Sequence, residues 1–203
     1  KLYNSVGPNP HVVRMFMAEK GIEMPMETVD IRGGENRREP YQSTVNHRGQ
    51  CPALELDNGG HLCEVTAICE YLDEQSSGDS LIGANAEERG ETRMWTRRVD
   101  LSICEPLGNG FRSSEGAKMF EGRVRLIPEG AEGMKATARD NLTWLNEDMG
   151  DKQFLCGDRL SLADILLFCF LEFGSHIGQK LDDSNTNLTA WFARMSERPS
   201  AKA

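Results

Sequence analysis

The sequence of 203 residues lacks any apolar stretch long enough to cross a membrane. Its longest apolar run lies between Asp164 and Glu172, far short of the roughly 20 residues that a membrane-spanning helix needs. The first residues also lack the basic and apolar regions of a signal peptide. We therefore expect no transmembrane helix, no signal peptide and no membrane partner.

Basic clusters are missing as well. The chain has 23 Lys and Arg against 32 Asp and Glu, which gives a formal net charge of −9. A field of that sign repels a polyanion, and no block of Lys and Arg offers a local exception. Nucleic acid is therefore not expected as a partner.

The six cysteines form no Cys-x-x-Cys pair and no metal-binding spacing, and the four histidines share none with them. Several of the cysteines lie in apolar segments, which is typical of reduced, buried thiols. The cysteine pattern therefore predicts a cytoplasmic protein with no metal site.

With 38% hydrophobic and 27% charged residues, the chain has the composition of a folded globular protein. Residues 1–78 alternate short strand candidates with helical segments, including a helix over 10–20 and a hairpin whose two-residue turn falls within 57–60. A small, polar stretch follows, so we place a linker at 79–86. The sequence thus predicts an α/β domain followed by an all-α domain over 87–203.

The second domain is predicted to contain five helices. Their predicted ranges are 87–107, 116–126, 131–149, 161–173 and 188–195. The sharpest local signal is Ser161 followed three residues later by Asp164, the pattern of a capping box in which each residue satisfies the other's backbone. The helix after it is apolar nearly all round, which predicts a position in the centre of the domain.

Four segments along the chain resemble the cytosolic glutathione S-transferase superfamily. They are residues 46–56, 62–72, 155–164 and 191–199. The resemblance implies a thioredoxin-like α/β N-terminal domain, an all-α C-terminal domain and a homodimer with each active site in a cleft between domains. It also implies that glutathione is the co-substrate and that a small electrophilic molecule is the second substrate.

The resemblance carries a glutathione-binding role to several positions. In the family, the proline matching Pro52 is cis, and the backbone of the residue before it, here Cys51, pairs with the cysteinyl backbone of glutathione. Glu64 matches the residue that holds the γ-glutamyl end, while the serine that usually follows it is replaced here by Val65. Arg37 and Gln50 match positions that contact the glycyl carboxylate; these two complete the predicted binding set.

The thiol-activating position departs from the usual pattern, because Gly7 stands where most members have a Ser, Tyr or Cys. Lowering a thiol pKa of roughly 8.5 by two units takes about 2.7 kcal/mol, which one hydrogen bond to the anion plus a helix N-terminus can supply. The segment Pro8–Asn9 is similar to a loop of the bacterial Nu class, so Asn9 is the candidate catalytic donor. Ser5 is the alternative hydroxyl, and Asn9 as a simple N-cap before Pro10 is a third interpretation.

The predicted activity is conjugation of the glutathione thiolate to an electrophilic, hydrophobic substrate. Two alternatives remain open on the sequence. One is a glutathione-dependent reductase of disulfides or peroxides with the same fold. The other is a non-catalytic binding or regulatory protein, which the two missing hydroxyls at Gly7 and Val65 favour.

Overall fold

The computed structural model describes residues 1–203 and divides the chain into two compact units. The first unit comprises Lys1–Ile82 together with Pro199–Ala203, and the second comprises Gly83–Arg198. The division at residue 82 falls inside the linker predicted at 79–86. No helix is both long and apolar enough to cross a membrane.

The last five residues belong to the first unit, although the sequence analysis assigned them to the second domain. They form a short 3-10 turn in which the backbone oxygen of Ala201 lies 3.2 Å from His11 Nε2. The Ser200 hydroxyl also donates to the carboxylate of Glu19. Contacts to one helix of the first unit therefore decide where this segment belongs.

A four-stranded sheet forms the centre of the first unit. Its strands are β1 (Leu2–Asn4), β2 (Met26–Thr28), β3 (Ala53–Glu55) and β4 (His61–Cys63). The order across the sheet is β2-β1-β3-β4, with β1 parallel to β2 and β3 antiparallel to both β1 and β4. This mixed sheet confirms the predicted α/β class of the first domain.

Three helices accompany the sheet. They are α1 (Pro8–Lys20), α2 (Tyr41–Thr44) and α3 (Val65–Gln75). Helix α1 ends where Gly21 adopts a left-handed conformation with φ of 62°. A buried ion pair joins α1 to α3, since Lys20 Nζ lies 3.2 Å from Asp73 Oδ1 with side chains only 3% and 8% exposed.

The β3–β4 hairpin differs from its prediction in the length of its loop. Leu56 N donates to the backbone oxygen of Gly60 at 2.8 Å, so three residues, 57–59, lie in the loop rather than two. Gly59 supplies the positive φ of 79° that a three-residue hairpin loop requires. The sequence correctly located the turn within 57–60. It did not show which of the two adjacent glycines, Gly59 or Gly60, lies in the loop and which pairs with Leu56.

The second unit is helical. Its helices are α4 (Ala86–Val99), α5 (Glu105–Arg112), α6 (Ala117–Phe120), α7 (Ala131–Met149), α8 (Leu162–His176) and α9 (Thr186–Ser196). A π-helical turn, Asp100–Cys104, connects α4 to α5. The helix predicted over 116–126 is only the single turn of α6, because Glu121 leaves the helical region with a ψ of 130° and Gly122 follows it with a φ of 72°.

The predicted capping box is present at the start of α8 and is part of a larger buried network. Asp164 accepts hydrogen bonds from Ser161 N at 3.1 Å and from Ser161 Oγ at 2.9 Å. Leu155 N and Trp191 Nε1 also donate to Asp164, at 2.9 and 3.0 Å. One carboxylate therefore ties α9 and the segment before α8 to the first turn of α8.

The Asp164 network predicts a pH dependence of stability. Burial raises the pKa of Asp164 from 3.8 to about 6, even though its four donors oppose the rise. Because the folded-state pKa is raised, the group's contribution to stability is full below 3.8 and is lost as the pH rises to about 6. The free energy of unfolding of the wild type, minus that of Asp164→Asn, should therefore fall between about pH 4 and pH 7.

The measurement is urea unfolding at a series of pH values. Asp158→Asn is the control, since Asp158 is exposed in the same segment and takes no part in the Asp164 network. A profile for Asp164→Asn that does not change with pH would contradict the raised pKa.

Candidate functional site

The candidate residues converge on one end of the sheet. The register pairs Tyr3 with Ala53 and Ala53 with Cys63, so β1 and β4 end where antiparallel β3 begins. The loop after β1, Pro52 before β3 and Glu64 after β4 therefore lie at the same end. The sheet register thus brings the loop after β1 together with two segments that follow it by more than 40 residues.

Helix α1 begins at this end with few open backbone donors. Gly7 is the N-cap residue, with φ of 106°, and the first backbone bond of the helix runs from His11 N to Gly7 O at 3.3 Å. Pro8 and Pro10 have no N–H, so Asn9 supplies the only open backbone donor of the first turn. Together with the helix dipole, this makes a small site of positive potential.

The Asn9 side chain is half-buried and makes no hydrogen bond within the protein. It does not cap α1, because Gly7 occupies the N-cap position and no side chain caps that helix. The interpretation of Asn9 as a simple N-cap is therefore not what the structure shows. Its amide N–H₂ and backbone N–H are both available to an anion.

The hydroxyl of Ser5, the alternative thiol donor, already makes a hydrogen bond within the protein. Its side chain is only 6% exposed, and Ser5 Oγ donates to the backbone oxygen of Val29 at 2.7 Å. The hydroxyl proton therefore holds the loop after β1 against the residue that follows β2. Ser5 could donate to a ligand only by breaking this bond.

The Cys51–Pro52 peptide bond is cis. Cys51 Sγ donates to Tyr3 O at 3.2 Å, and burial raises the pKa of this thiol to about 12. In contrast, neither the backbone N–H nor the C=O of Cys51 has a partner in the protein. Such an unpaired backbone can hydrogen-bond an extended peptide as a neighbouring strand would.

Glu64 is the only non-glycine residue with a positive φ, 74°. It is exposed and precedes α3, but its carboxylate does not cap that helix; only its backbone oxygen accepts a bond, from Ile68 N at 3.0 Å. Strained backbone of this kind concentrates at ligand sites. The carboxylate is thus presented to solvent without a protein partner, as an ammonium-binding group would be.

The first turn of α3 adds further donors beside Glu64. Val65, Thr66 and Ala67 are its first three residues, and their N–H groups have no acceptor within the helix. Val65 itself is half-buried and brings no hydroxyl. Thr66, which the sequence analysis passed over, carries a hydroxyl one residue later; the signal was its position in the first turn.

Gln50 and Arg37 are held by the loop before Pro52. Gln50 is exposed, and its backbone oxygen accepts bonds from Tyr41 Oη at 2.8 Å and from Asn46 Nδ2 at 3.1 Å. Arg37 is half-buried, and its Nη1 donates to Arg48 O at 3.4 Å. These contacts fix the loop and leave the Gln50 amide facing solvent.

Known proteins match the chain over both units. The family models described as the N-terminal and C-terminal domains of glutathione S-transferase match residues 6–75 and 131–199. The chain is 29% identical over 198 residues to Glutathione S-transferase 2 of Saccharomyces cerevisiae, covering 97% of this chain and 84% of that protein. It is 30% identical over 240 residues to Protein LigF of Sphingobium sp., covering 100% of this chain and 91% of that protein.

The solved structures show the same similarity. The crystal structure of a glutathione S-transferase domain-containing protein from Marinobacter aquaeolei superposes with a TM-score of 0.92 at 32% identity. The match covers 98% of this chain and 98% of that chain.

The environment of Cys51 predicts that its thiol is unreactive. With a pKa of about 12, the thiolate fraction at neutral pH is on the order of 10⁻⁵. Iodoacetamide at pH 7 should therefore leave Cys51 unmodified in the folded protein, as read by mass spectrometry of the peptides. The control is protein unfolded in guanidinium, in which all six cysteines should react. Rapid labelling of Cys51 in the folded protein would instead mark it as a nucleophile.

Proposed function

Because the chain belongs to the glutathione S-transferase family, we propose that it is a glutathione transferase whose first unit binds reduced glutathione. The observation that carries this proposal is the convergence of three unpaired groups at one end of the sheet. They are the Glu64 carboxylate, the Cys51 backbone and the open start of α1 at Asn9. They fit, in that order, the ammonium, the peptide backbone and the thiol of one tripeptide.

Asn9 is proposed as the group that stabilises the thiolate. The sulfur would accept hydrogen bonds from the Asn9 amide or backbone N–H, beside the positive end of the helix dipole. No hydroxyl is needed, because these two contributions together reach the roughly 2.7 kcal/mol that a two-unit shift of the thiol pKa requires. The proton leaves to solvent, and the thiolate is the attacking species.

The two ends of glutathione are proposed to bind charged and amide groups. Glu64 would accept hydrogen bonds from the γ-glutamyl ammonium, next to the first turn of α3 that begins at Val65. Arg37 and Gln50 would bind the glycyl carboxylate. These contacts fix the tripeptide so that its cysteine lies against Cys51 and Pro52.

In the proposed reaction the thiolate forms a bond to an electrophilic carbon of a small hydrophobic substrate, and the leaving group departs with the electron pair. The Pro8–Asn9 segment, similar to the Nu class, favours a second candidate. In that reaction the thiolate attacks a disulfide sulfur, forming a mixed disulfide and releasing a thiolate. Turnover of a chlorodinitroarene, compared with turnover of a disulfide or hydroperoxide, separates the two.

Titration calorimetry with glutathione tests the proposal as a whole, followed by the ultraviolet absorbance of the bound thiolate near neutral pH. Binding together with thiolate absorbance supports a transferase. Absence of heat at millimolar glutathione would favour the non-catalytic regulatory protein, and binding without thiolate absorbance would favour a protein that stores the ligand. Family membership also supports a homodimer and a cytoplasmic location as proposals, and size-exclusion chromatography tests the first.

Substitution of Asn9 should separate the candidate thiol donors. Asn9→Ala should raise the apparent pKa of bound glutathione by about one unit and lower kcat/KM about ten-fold, because one hydrogen bond to the anion is lost. Its stability should change by less than about 0.5 kcal/mol, since Asn9 caps nothing. Absorbance titration and thermal unfolding measure the two effects.

Ser5→Ala is the matched comparison. It should destabilise the fold by about 0.5 to 1.5 kcal/mol, because Ser5 Oγ no longer donates to Val29 O, which keeps only its bond from Ile31 N. The thiol pKa should rise less than in Asn9→Ala, because both donors of Asn9 remain. The reverse pattern, with the pKa moved by Ser5→Ala alone, would assign the donor role to Ser5.

Glu64→Gln should weaken glutathione binding about ten-fold or more, because the ammonium loses its charged acceptor. Glu74→Gln, an exposed change on the same helix, is the control and should leave the affinity unaltered. A glutathione analogue without the α-amino group should bind the wild type and Glu64→Gln equally. Calorimetry measures both ligands, and an unequal loss for the analogue would show that Glu64 acts on another part of the tripeptide.

A further inference from the structure

Arg14 connects α1 to the end of β1. Its Nη1 donates to Asn4 Oδ1 at 2.7 Å and to Ser5 O at 3.0 Å. Asn4 is the last residue of β1, and Ser5 is the first residue of the loop that leads to Gly7 and α1. One guanidinium on the second turn of α1 therefore holds the beginning of the loop whose end starts the same helix.

The loop has little else to fix its shape. Gly7 adopts a φ of 106°, a Cβ at this position would meet nothing within 4 Å, and no side chain caps α1. Val6 is 52% exposed. The side-chain contacts that hold the loop are the Ser5–Val29 bond and the two bonds from Arg14.

Arg14 also acts toward the other side of the site. Its positive charge opposes the burial that raises the pKa of Cys51. It lines an open depression of about 510 Å³ together with Asn4, Ser5 and Val6. The Arg14 side chain therefore lies beside an open depression at the end of the sheet and not in the apolar core.

We propose that Arg14 is a positioning residue that holds the start of α1, and with it Asn9, in the place where the glutathione sulfur is stabilised. The inference rests on the proposed function. In a chain without a hydroxyl at Gly7, the donors are a backbone N–H and an amide on the same residue, so both move when the loop moves. A misplacement of about 1 Å in such a site costs up to about 100-fold in rate.

Three variants test the proposal. Arg14→Met removes both the charge and the hydrogen bonds. Arg14→Lys keeps the charge, but its ammonium lies one atom nearer the backbone than Arg14 Nη1, the single atom that donates both bonds. Arg32→Met is the matched control, because Arg32 is exposed and lines the same depression. Circular dichroism and thermal unfolding confirm that each variant is folded.

The first readout needs no ligand. In the peptide covering 5–11, exchange of the His11 amide, which bonds Gly7 O at the start of α1, should be about ten-fold faster in Arg14→Met and in Arg14→Lys than in the wild type, and unchanged in Arg32→Met. If exchange is unchanged in Arg14→Met, Arg14 does not hold the loop, whether or not glutathione binds.

The second readout is the apparent pKa of bound glutathione, which a purely structural residue would not move. It should rise by about half a unit or more in both Arg14 variants, with a fall in kcat larger than the change in KM. A normal thiol pKa in Arg14→Lys would show that charge alone acts, and would overturn the positioning role.

The two proposals fail in different ways. If the wild type binds no glutathione while exchange in 5–11 still depends on Arg14, the proposed function is wrong and the positioning role falls with it. If glutathione binds as a thiolate and the thiol pKa is the same in all variants, the transferase stands and the inference on Arg14 is wrong.

Discussion

The pairing of β1 with β3 is the constraint on which the candidate site depends. Tyr3 lies opposite Ala53, so the loop that leaves β1 and the cis-proline segment that enters β3 meet at one end of the sheet. Because side chains alternate between faces, a slip of one residue would turn Tyr3 out of its buried cluster. The burial of that cluster therefore fixes the register, and the register fixes which backbone groups face the site.

The site so formed uses backbone more than side chains. The Cys51 peptide, the first turn of α3 and the N–H of Asn9 all offer donors or acceptors that the fold leaves unpaired. Only Glu64 contributes an exposed charge, and it does so from a conformation that non-glycine residues rarely adopt. The strain at Glu64 is tolerated because the helix after it and the strand before it hold both ends of the turn.

The sequence predicted the parts of this arrangement whose cause is local. The capping box at Ser161 and Asp164 follows from three residues of spacing, and α7 was predicted with its observed bounds because its periodicity is uninterrupted. The predicted lengths of the hairpin loop and of α6 were wrong. Each length depends on a glycine that takes a positive φ, Gly59 in the hairpin loop and Gly122 after α6. Sequence patterns show where glycine permits such a turn but not where the surrounding contacts require it.

The function proposed for Arg14 also could not be predicted from sequence patterns alone. In the sequence Arg14 is one basic residue of the helix predicted over 10–20, and nothing nearby indicates a contact with β1. The role proposed for it depends on contacts between α1 and the end of β1, which form only once the strand and the helix have packed. In the proposed site, where a side-chain hydroxyl is absent, the anion is stabilised by the amide and the backbone N–H of Asn9, and the position of both is set by the loop. The chemistry of such a site is therefore sensitive to residues that hold the loop, even when they do not touch the ligand.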